Sequence, residues 1–193
     1  VKHRLGVDST RGLTVAVQGL GKVGMRLVRQ LHHEGARLIV SDVNRESVDS
    51  AVAEFGAKAL GTEEIVTAEC DVFSPNALGA ILDAKTIPLL HARIVAGAAN
   101  NQLAHDGDGA ALRARGILYA PDYVINGGGV ICVAGQIFDW SNPEIERRVR
   151  AIAERLVQIF QRADQEGVAT SAIADRMAEE RMATATPAMC AAE

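Results

Sequence analysis

Residues 14–25 read TVAVQGLGKVGM, and the fold turns on them. An apolar run from Val15 to Val17 meets Gly19, Gly21 and Gly24 in G-x-G-x-x-G spacing, after which Val23, Leu27, Val28 and Leu31 recur at helical intervals. That pattern predicts a strand, a tight turn and a helix. In such a turn one glycine permits the sharp reversal, a second lets backbone approach a pyrophosphate, and a third lets helix and strand pack closely. The helix then directs its positive N-terminal end at the phosphates. Glycine-rich turns of this spacing also occur for purely structural reasons, so the surroundings decide.

Residues 37–41, RLIVS, read as a second strand. Asp42 follows them, about 20 residues beyond the glycines, where a carboxylate can bind both hydroxyls of an adenosine ribose. Its other role would be to cap a helix over residues 45–55, and one residue can serve both. Val43 and Asn44 offer no cation to a 2′-phosphate, which favours NAD over NADP; Arg45 weakens that preference slightly.

The 193 residues are 48% hydrophobic and 23% charged, with a formal net charge of −4. Such a chain can bury one sizeable core with an appended helical segment. The mildly acidic balance, without basic runs or aromatic platforms, argues against nucleic acid as main partner. No apolar stretch approaches the roughly 20 residues that span a bilayer, and no signal pattern opens the chain, so no membrane partner and a cytoplasmic location are expected. Cys70, Cys132 and Cys190 lie far apart, and the five histidines show no ligand spacing, so neither a disulfide framework nor a metal is expected. Residues 1–12, VKHRLGVDSTRG, read as the tail of a helix or linker running into the first strand. That start looks cut, and a fragment is expected.

Further along, residues 45–55 form an amphipathic helix ended by Gly56, residues 57–59 a short strand, and residues 62–66 a helical turn capped by Thr62. Residues 71–73 make a brief strand running into Ser74, Pro75, Asn76 and Ala77, at the strand end where ligands sit in an open parallel sheet. Residues 93–96, RIVA, form another strand, followed by Gly97, Ala98, Ala99, Asn100 and Asn101. These are small residues that admit close backbone approach, then two amides able to donate and accept; the alternative is a plain glycine-asparagine turn. A helix over residues 110–115 ends at Gly116, and residues 117–120, ILYA, are the last strand, closed by Pro121.

Residues 122–140, DYVINGGGVICVAGQIFDW, are the second unusual stretch. Three consecutive glycines cost backbone entropy. Either they let backbone approach a ligand or a facing domain, with Asn126 supplying an amide, or they make a flexible helix entry. Beyond Pro143, residues Ile145, Val149, Ile152, Leu156, Val157 and Phe160 share a helical face. A second helix runs from residue 170 to about residue 182, and residues 183–193 are expected to fray. Strand and helix alternate over residues 13–120, which predicts an α/β, doubly wound parallel sheet of the Rossmann type with a C-terminal helical addition. The expected division is residues 1–140 for the dinucleotide domain and residues 141–193 for helices packing on it or on another domain.

Taken in order, VAVQGLGKVG, the acid of IVSDVN, CDVFSPNALG, VAGAANNQLA, GILYAPDYVINGGGV and DRMAEERM resemble the C-terminal, NAD-binding half of the glutamate, leucine, phenylalanine and valine dehydrogenase family. The resemblance covers nearly the whole chain, and its leucine branch is nearest because of ILYAPDYVIN and DRMAEERM. It implies NAD-dependent, reversible oxidative deamination of a branched-chain or aromatic L-amino acid to its 2-oxo acid and ammonia. By position it implies a pyrophosphate turn of Gly19, Leu20, Gly21, Lys22, Val23, Gly24 and Met25, with Asp42 and the adjoining Val43 at the adenosine ribose. Pro75, Asn76 and Ala77 would lie against the adenosine or nicotinamide ribose, Ala99 with Asn100 or Asn101 near the nicotinamide, and Asn126 facing the carboxamide or the substrate. Val130 and Val133 match positions lining the aliphatic side-chain pocket of leucine dehydrogenases, the alternative being helix-core packing. The pattern departs from leucine dehydrogenases at Ser74, Asn76, Asn100 and Gly127, which leaves side-chain preference open.

The family's catalytic lysines and aspartate sit in an N-terminal domain, one lysine in a G-G-G-K context. Lys2, Lys22, Lys58 and Lys85 are the only lysines here and none has that setting, so no catalytic residue is expected in this chain. The implied partners are an amino-acid substrate and that N-terminal domain, in a full-length homo-oligomer. The reading from another class is a stand-alone NAD-sensing regulatory domain without chemistry.

Overall fold

In the computed structural model, which describes residues 1–185, six parallel strands carry the sheet: β1 (Thr14–Gln18), β2 (Arg37–Ser41), β3 (Lys58–Ala59), β4 (Val72–Pro75), β5 (Ile94–Val95) and β6 (Leu118–Tyr119). Their order is β3-β2-β1-β4-β5-β6. The order reverses between β1 and β4, the place where a doubly wound sheet opens a crevice at its C-terminal edge. Gln18 pairs with Ser41 on one side and with Pro75 on the other. The turns that leave these three strands therefore meet, and the Asn76 N–H donates to the Gln18 carbonyl at 2.6 Å.

Alternation along the strands sends neighbouring residues to opposite faces. Val15, Val17, Leu38 and Val40 pack against α2 (Lys22–Glu34) and α3 (Arg45–Phe55) through Val28, Leu31, Val48 and Phe55. Ala16, Ile39, Phe73 and Val95 pack on the other face against Ile65, Leu82, Leu90 and Leu112, the last from α4 (Asp108–Ala114). A side chain buried this fully contributes about 1.5–3 kcal/mol relative to exposure, and both faces are covered, as a parallel sheet requires. A one-turn helix, α1 (Lys2–Leu5), precedes β1.

After β6 come α5 (Asp122–Ile125), α6 (Gly128–Ile137), α7 (Asn142–Glu166) and α8 (Thr170–Ala185). Helices α7 and α8 join through Ile159, Ala163, Ile173 and Ala174, and α8 rests on α4 and β6. The Thr170 hydroxyl donates to the Tyr119 carbonyl at 2.7 Å. From the other end, His3 Nε2 lies 2.9 Å from Asp164 of α7, and Arg4 donates to the Gly116 carbonyl.

Several boundaries differ from the sequence reading. Strand β4 continues through Ser74 and Pro75, because both positions stay in register with β1. The turn expected after Thr62 is a 3-10 turn over Glu64–Thr67 without a side-chain cap; instead the Glu64 carboxylate accepts the Gly61 N–H at 2.9 Å. Helix α7 buries Leu156, Ile159 and Ala163, whereas Val149 and Val157 stay exposed. Its packing against α8 is concentrated near its C-terminal end. Residues 183–185, expected to fray, continue α8; the rest of that stretch and Cys190 lie outside the described residues.

Candidate functional site

The three glycines after β1 are required for different reasons. Gly19 has φ +95°, and a methyl group there would lie 2.7 Å from the backbone of Asn76 and Ala77. A methyl on Gly24 would lie 1.9 Å from the Gly19 carbonyl oxygen. The protein's own packing explains both. Gly21 is the exception: its φ is −65°, and among the described residues no atom beyond its immediate chain neighbours comes within 4 Å of where its methyl would be. It caps α2 without a side-chain hydrogen bond, so no cap side chain satisfies the first N–H groups of the helix, where an anion would be stabilised. Leu20 is buried beneath the turn and Met25 half-buried in the core, while Lys22 and Val23 are exposed beside the opening.

Asp42 joins this turn to the next. Its Oδ2 accepts the Leu20 N–H at 2.5 Å and its Oδ1 the Asn44 N–H at 2.7 Å. An ionised carboxylate has about four acceptor positions, so two remain for ligand hydroxyls. Capping of α3 falls to Asn44, whose Oδ1 accepts the N–H groups of Glu46 at 2.9 Å and Ser47 at 3.3 Å. Val43 at the end of β2 and Leu78 beyond β4 are 91% and 86% exposed.

Pro75 at the end of β4 is buried, and Ala77 beyond it is exposed. The Asn76 amide is committed inward: Nδ2 donates to the Ser74 carbonyl and hydroxyl at 2.9 and 3.0 Å, and Oδ1 accepts the Ala98 N–H at 3.1 Å. Asn76 thus braces the loops after β4 and β5, and can offer a ligand only the second lone pair of Oδ1. Gly97 holds the same junction, since a methyl there would lie 2.1 Å from the Pro75 carbonyl oxygen.

The loop from Gly97 brings the remaining amides together. Asn126 Nδ2 donates to Asn100 Oδ1 at 2.6 Å. Ala99 is buried and Asn101 has φ +52°; its N–H donates to Asp122 Oδ2 at 2.8 Å, and Tyr119 donates its hydroxyl to Asp122 Oδ1 at 2.7 Å. Burial, with the bond to Asp122, pushes the Tyr119 phenol far above its ordinary range, so it stays a donor. Buried Gln102 donates from Nε2 to the carbonyls of Gly97 and Ala99 at 2.8 and 2.9 Å. Asn100, Asn101, Asn126 and Val130 line a cleft of about 950 Å³, bounded opposite by Ile152, Ile159 and Met177. Gly127 precedes α6, and Gly129, like Gly21, has nothing within 4 Å of a methyl group among the described residues. Val130 and Val133 are 75% and 57% exposed, so they are not helix-core residues.

Sequence reasoning passed over Asp122, Tyr119 and Gln102. The available signals were an acid placed directly after Pro121 at the end of the last apolar strand, and a glutamine inside the small-residue run AANNQLA. Of the lysines, Lys2 pairs with Asp8 at 2.7 Å, Lys58 lies on edge strand β3, and Lys22 alone stands at the turn. Among the described residues no group of three or more His, Cys, Asp or Glu could hold a metal ion, and no helix is long and apolar enough to cross a membrane.

The sheet order and the glycine-rich turn at the switch point define a Rossmann-type nucleotide-binding fold. Residues 40–189 match the model of the Glutamate/Leucine/Phenylalanine/Valine dehydrogenase family, and the chain belongs to that family. It is 46% identical to the leucine dehydrogenase of Bacillus cereus over 183 residues, covering 95% of this chain and 50% of the relative. It is 45% identical to the L-tryptophan dehydrogenase of Nostoc punctiforme over 172 residues, covering 89% and 49%. The crystal structure of that tryptophan dehydrogenase is similar with a TM-score of 0.93 at 41% identity, over 97% of this chain and 58% of the other. The hetero-hexameric glutamate dehydrogenase of Thermus thermophilus in its Leu-bound form gives 0.74 at 28% identity, over 96% and 49%. The chain spans about half the length of the curated relatives it matches.

Proposed function

We propose that the chain is the nucleotide-binding half of an NAD-dependent amino-acid dehydrogenase, most like leucine dehydrogenase, which reversibly deaminates a branched-chain or aromatic L-amino acid to its 2-oxo acid and ammonia. One observation carries the reading: Gly21 stands over the uncapped start of α2 with open space above it, beside a carboxylate, Asp42, that keeps acceptor positions in reserve. The residues fit the group. The α2 N–H groups, with the Lys22 ammonium beside them, would hold the pyrophosphate, and Asp42 the adenosine ribose. Val43 and Leu78 offer exposed aliphatic surface to the adenine.

A 2′-phosphate would meet the Asp42 carboxylate, and Arg45, the nearest cation in sequence, has its Nε engaged with Asp49 at 3.2 Å. NAD is therefore preferred over NADP. At the other end, the Asn100–Asn126 pairing leaves Asn100 a donor and Asn126 an acceptor, the complement of a primary carboxamide. Bound there, NAD supplies the hydride acceptor; this chain's residues bind and orient it. Val130 and Val133 supply aliphatic surface for the substrate side chain. The proton-transferring lysines belong to an N-terminal domain that closes the cleft, in a cytoplasmic homo-oligomer. Residues 1–140 form the nucleotide domain, and residues 141–185 its helical addition; the remainder of the expected second part lies outside the described residues. The sensor alternative has no observation in its favour.

Titration of the purified chain with NADH and NADPH tests this. NADH should bind at least about tenfold more tightly, a 1.4 kcal/mol preference, and Asp42→Ala should erase the difference. Equal affinity in the unaltered chain would overturn the assignment of Asp42.

A further inference from the structure

We propose that Asp122 is a positioning residue for the nicotinamide end of the dinucleotide, holding residues 97–101 in the conformation that brings the Asn100 and Asn126 amides together; this rests on the cofactor reading above. Asp122 is 6% exposed and uses its two oxygens on two different segments. Oδ1 takes the Tyr119 hydroxyl from β6, and Oδ2 takes the backbone N–H of Asn101. Asn101 has φ +52°, a left-handed conformation that asparagine adopts more readily than most side chains but that is still uncommon, and hydrogen bonds hold it. They act at both ends of the residue. Its carbonyl accepts the Ala80 N–H at 2.6 Å, and its N–H meets a carboxylate, a stronger acceptor than a neutral oxygen.

The residue before it is Asn100, whose side chain is the one bonded to Asn126. Space on the far side is closed: a methyl on Gly79 would lie 2.5 Å from the Asn100 carbonyl oxygen and 2.7 Å from that of Asn101. Gln102 holds the two carbonyls upstream. Without the Asp122 acceptor, Asn101 can relax to a negative φ, and rotation about that residue swings Asn100 away from Asn126. The pyrophosphate turn and Asp42 follow β1 and β2, whereas Asp122 follows β6 at the far edge of the sheet, so these parts of the adenosine half would not feel this.

The test compares two probes on the purified chain: NADH, and ADP-ribose, which has the adenosine and pyrophosphate but no nicotinamide. Asp122→Ala is expected to raise the NADH dissociation constant about tenfold, the loss of one charge-assisted hydrogen bond. Its ADP-ribose constant should stay within about twofold, and the fluorescence change of NADH on binding should shrink. Asp122→Asn, which keeps an acceptor toward Asn101, should recover most of the NADH affinity. If Asp122→Ala fails to fold, Tyr119→Phe, which removes the other partner of the carboxylate, is read the same way with a smaller loss. Equal weakening of both probes would overturn the proposal, because it would mean a general structural role, as would no change in either. If the unaltered chain bound ADP-ribose but not NADH, the proposal would fall while the adenosine site stood; if it bound neither probe, the cofactor reading itself would fail and take the proposal with it.

Discussion

Gly21 and Gly24 stand three residues apart in one motif, and the structure predicts opposite consequences for adding the same methyl group. At Gly24 the new carbon would lie 1.9 Å from the Gly19 carbonyl oxygen, about 1.4 Å inside the roughly 3.3 Å at which carbon and oxygen begin to touch. The oxygen belongs to backbone and an alanine methyl has no alternative rotamer, so only a backbone shift relieves the clash. Gly24→Ala should cost about 3 kcal/mol, the upper end of the overpacking range, and lower Tm by about 6–12 °C for a chain of this size. At Gly21 the methyl meets nothing. Alanine is a poorer helix cap by about 0.5–1 kcal/mol, and the stiffer unfolded chain offsets this by about 0.4–1 kcal/mol. The net effect on Tm should stay within about 3 °C. Yet that methyl occupies the space through which backbone would approach a pyrophosphate, so the NADH dissociation constant should rise at least about tenfold. Thermal melts by circular dichroism and NADH fluorescence titrations on the two variants provide the measurements. Parental NADH affinity in Gly21→Ala would refute the ligand role of the open glycine, and an unchanged Tm in Gly24→Ala would refute the packing role of the other.

Leu112 is fully buried in the core on the α4 side of the sheet, so Leu112→Ala should destabilise by about 2–5 kcal/mol in urea denaturation; a loss under about 1 kcal/mol would contradict that packing. Glu144 is held near 2 by its bond to Arg147 and then by Arg148. A depressed carboxylate stabilises above its unfolded pKa and loses that contribution as pH falls through its folded value, so Glu144→Gln should flatten the fall in Tm between about pH 4.5 and 2; identical pH profiles would contradict the assignment. Burial pushes the Cys70 thiol up to about 11, whereas Cys132 is exposed. In a Cys190→Ser background a disulfide reagent at pH 8 should modify Cys132 promptly and Cys70 only on unfolding, and mass spectrometry of the labelled peptides decides it. Supplied with leucine, valine or phenylalanine and NAD, the purified chain alone should form no NADH, because none of its four lysines sits in the G-G-G-K setting; measurable absorbance growth at 340 nm would overturn that reading.

Much of the fold was legible because its determinants are local. Apolar runs of two to five residues ending in glycine, aspartate, proline or asparagine announced the strands, and the 3.6-residue recurrence after Gly19 announced α2. The extent of β4 was not legible, because Ser74 and Pro75 become strand only through their register with β1. The buried stripe of α7 was misjudged for a similar reason: period alone cannot say where along a 25-residue helix its neighbour lies.

The division in the site is the same. By itself the sequence determined the parallel α/β class, the glycine turn, the acid after β2 and the positions of the amides, since each depends on spacing along one short segment. Only the tertiary structure decided what these groups do to one another. It showed that Gly21 is the glycine the protein does not need for itself, that Asn44 rather than Asp42 caps α3, that the Asn76 amide is turned inward, and that Asp122 and Tyr119 hold the loop of Asn101. The Asn44 cap is local, but the other facts depend on backbone segments 20 to 60 residues apart meeting at one sheet edge, and hydrogen bonds and steric clashes act over a few ångströms of space, whatever the separation along the chain.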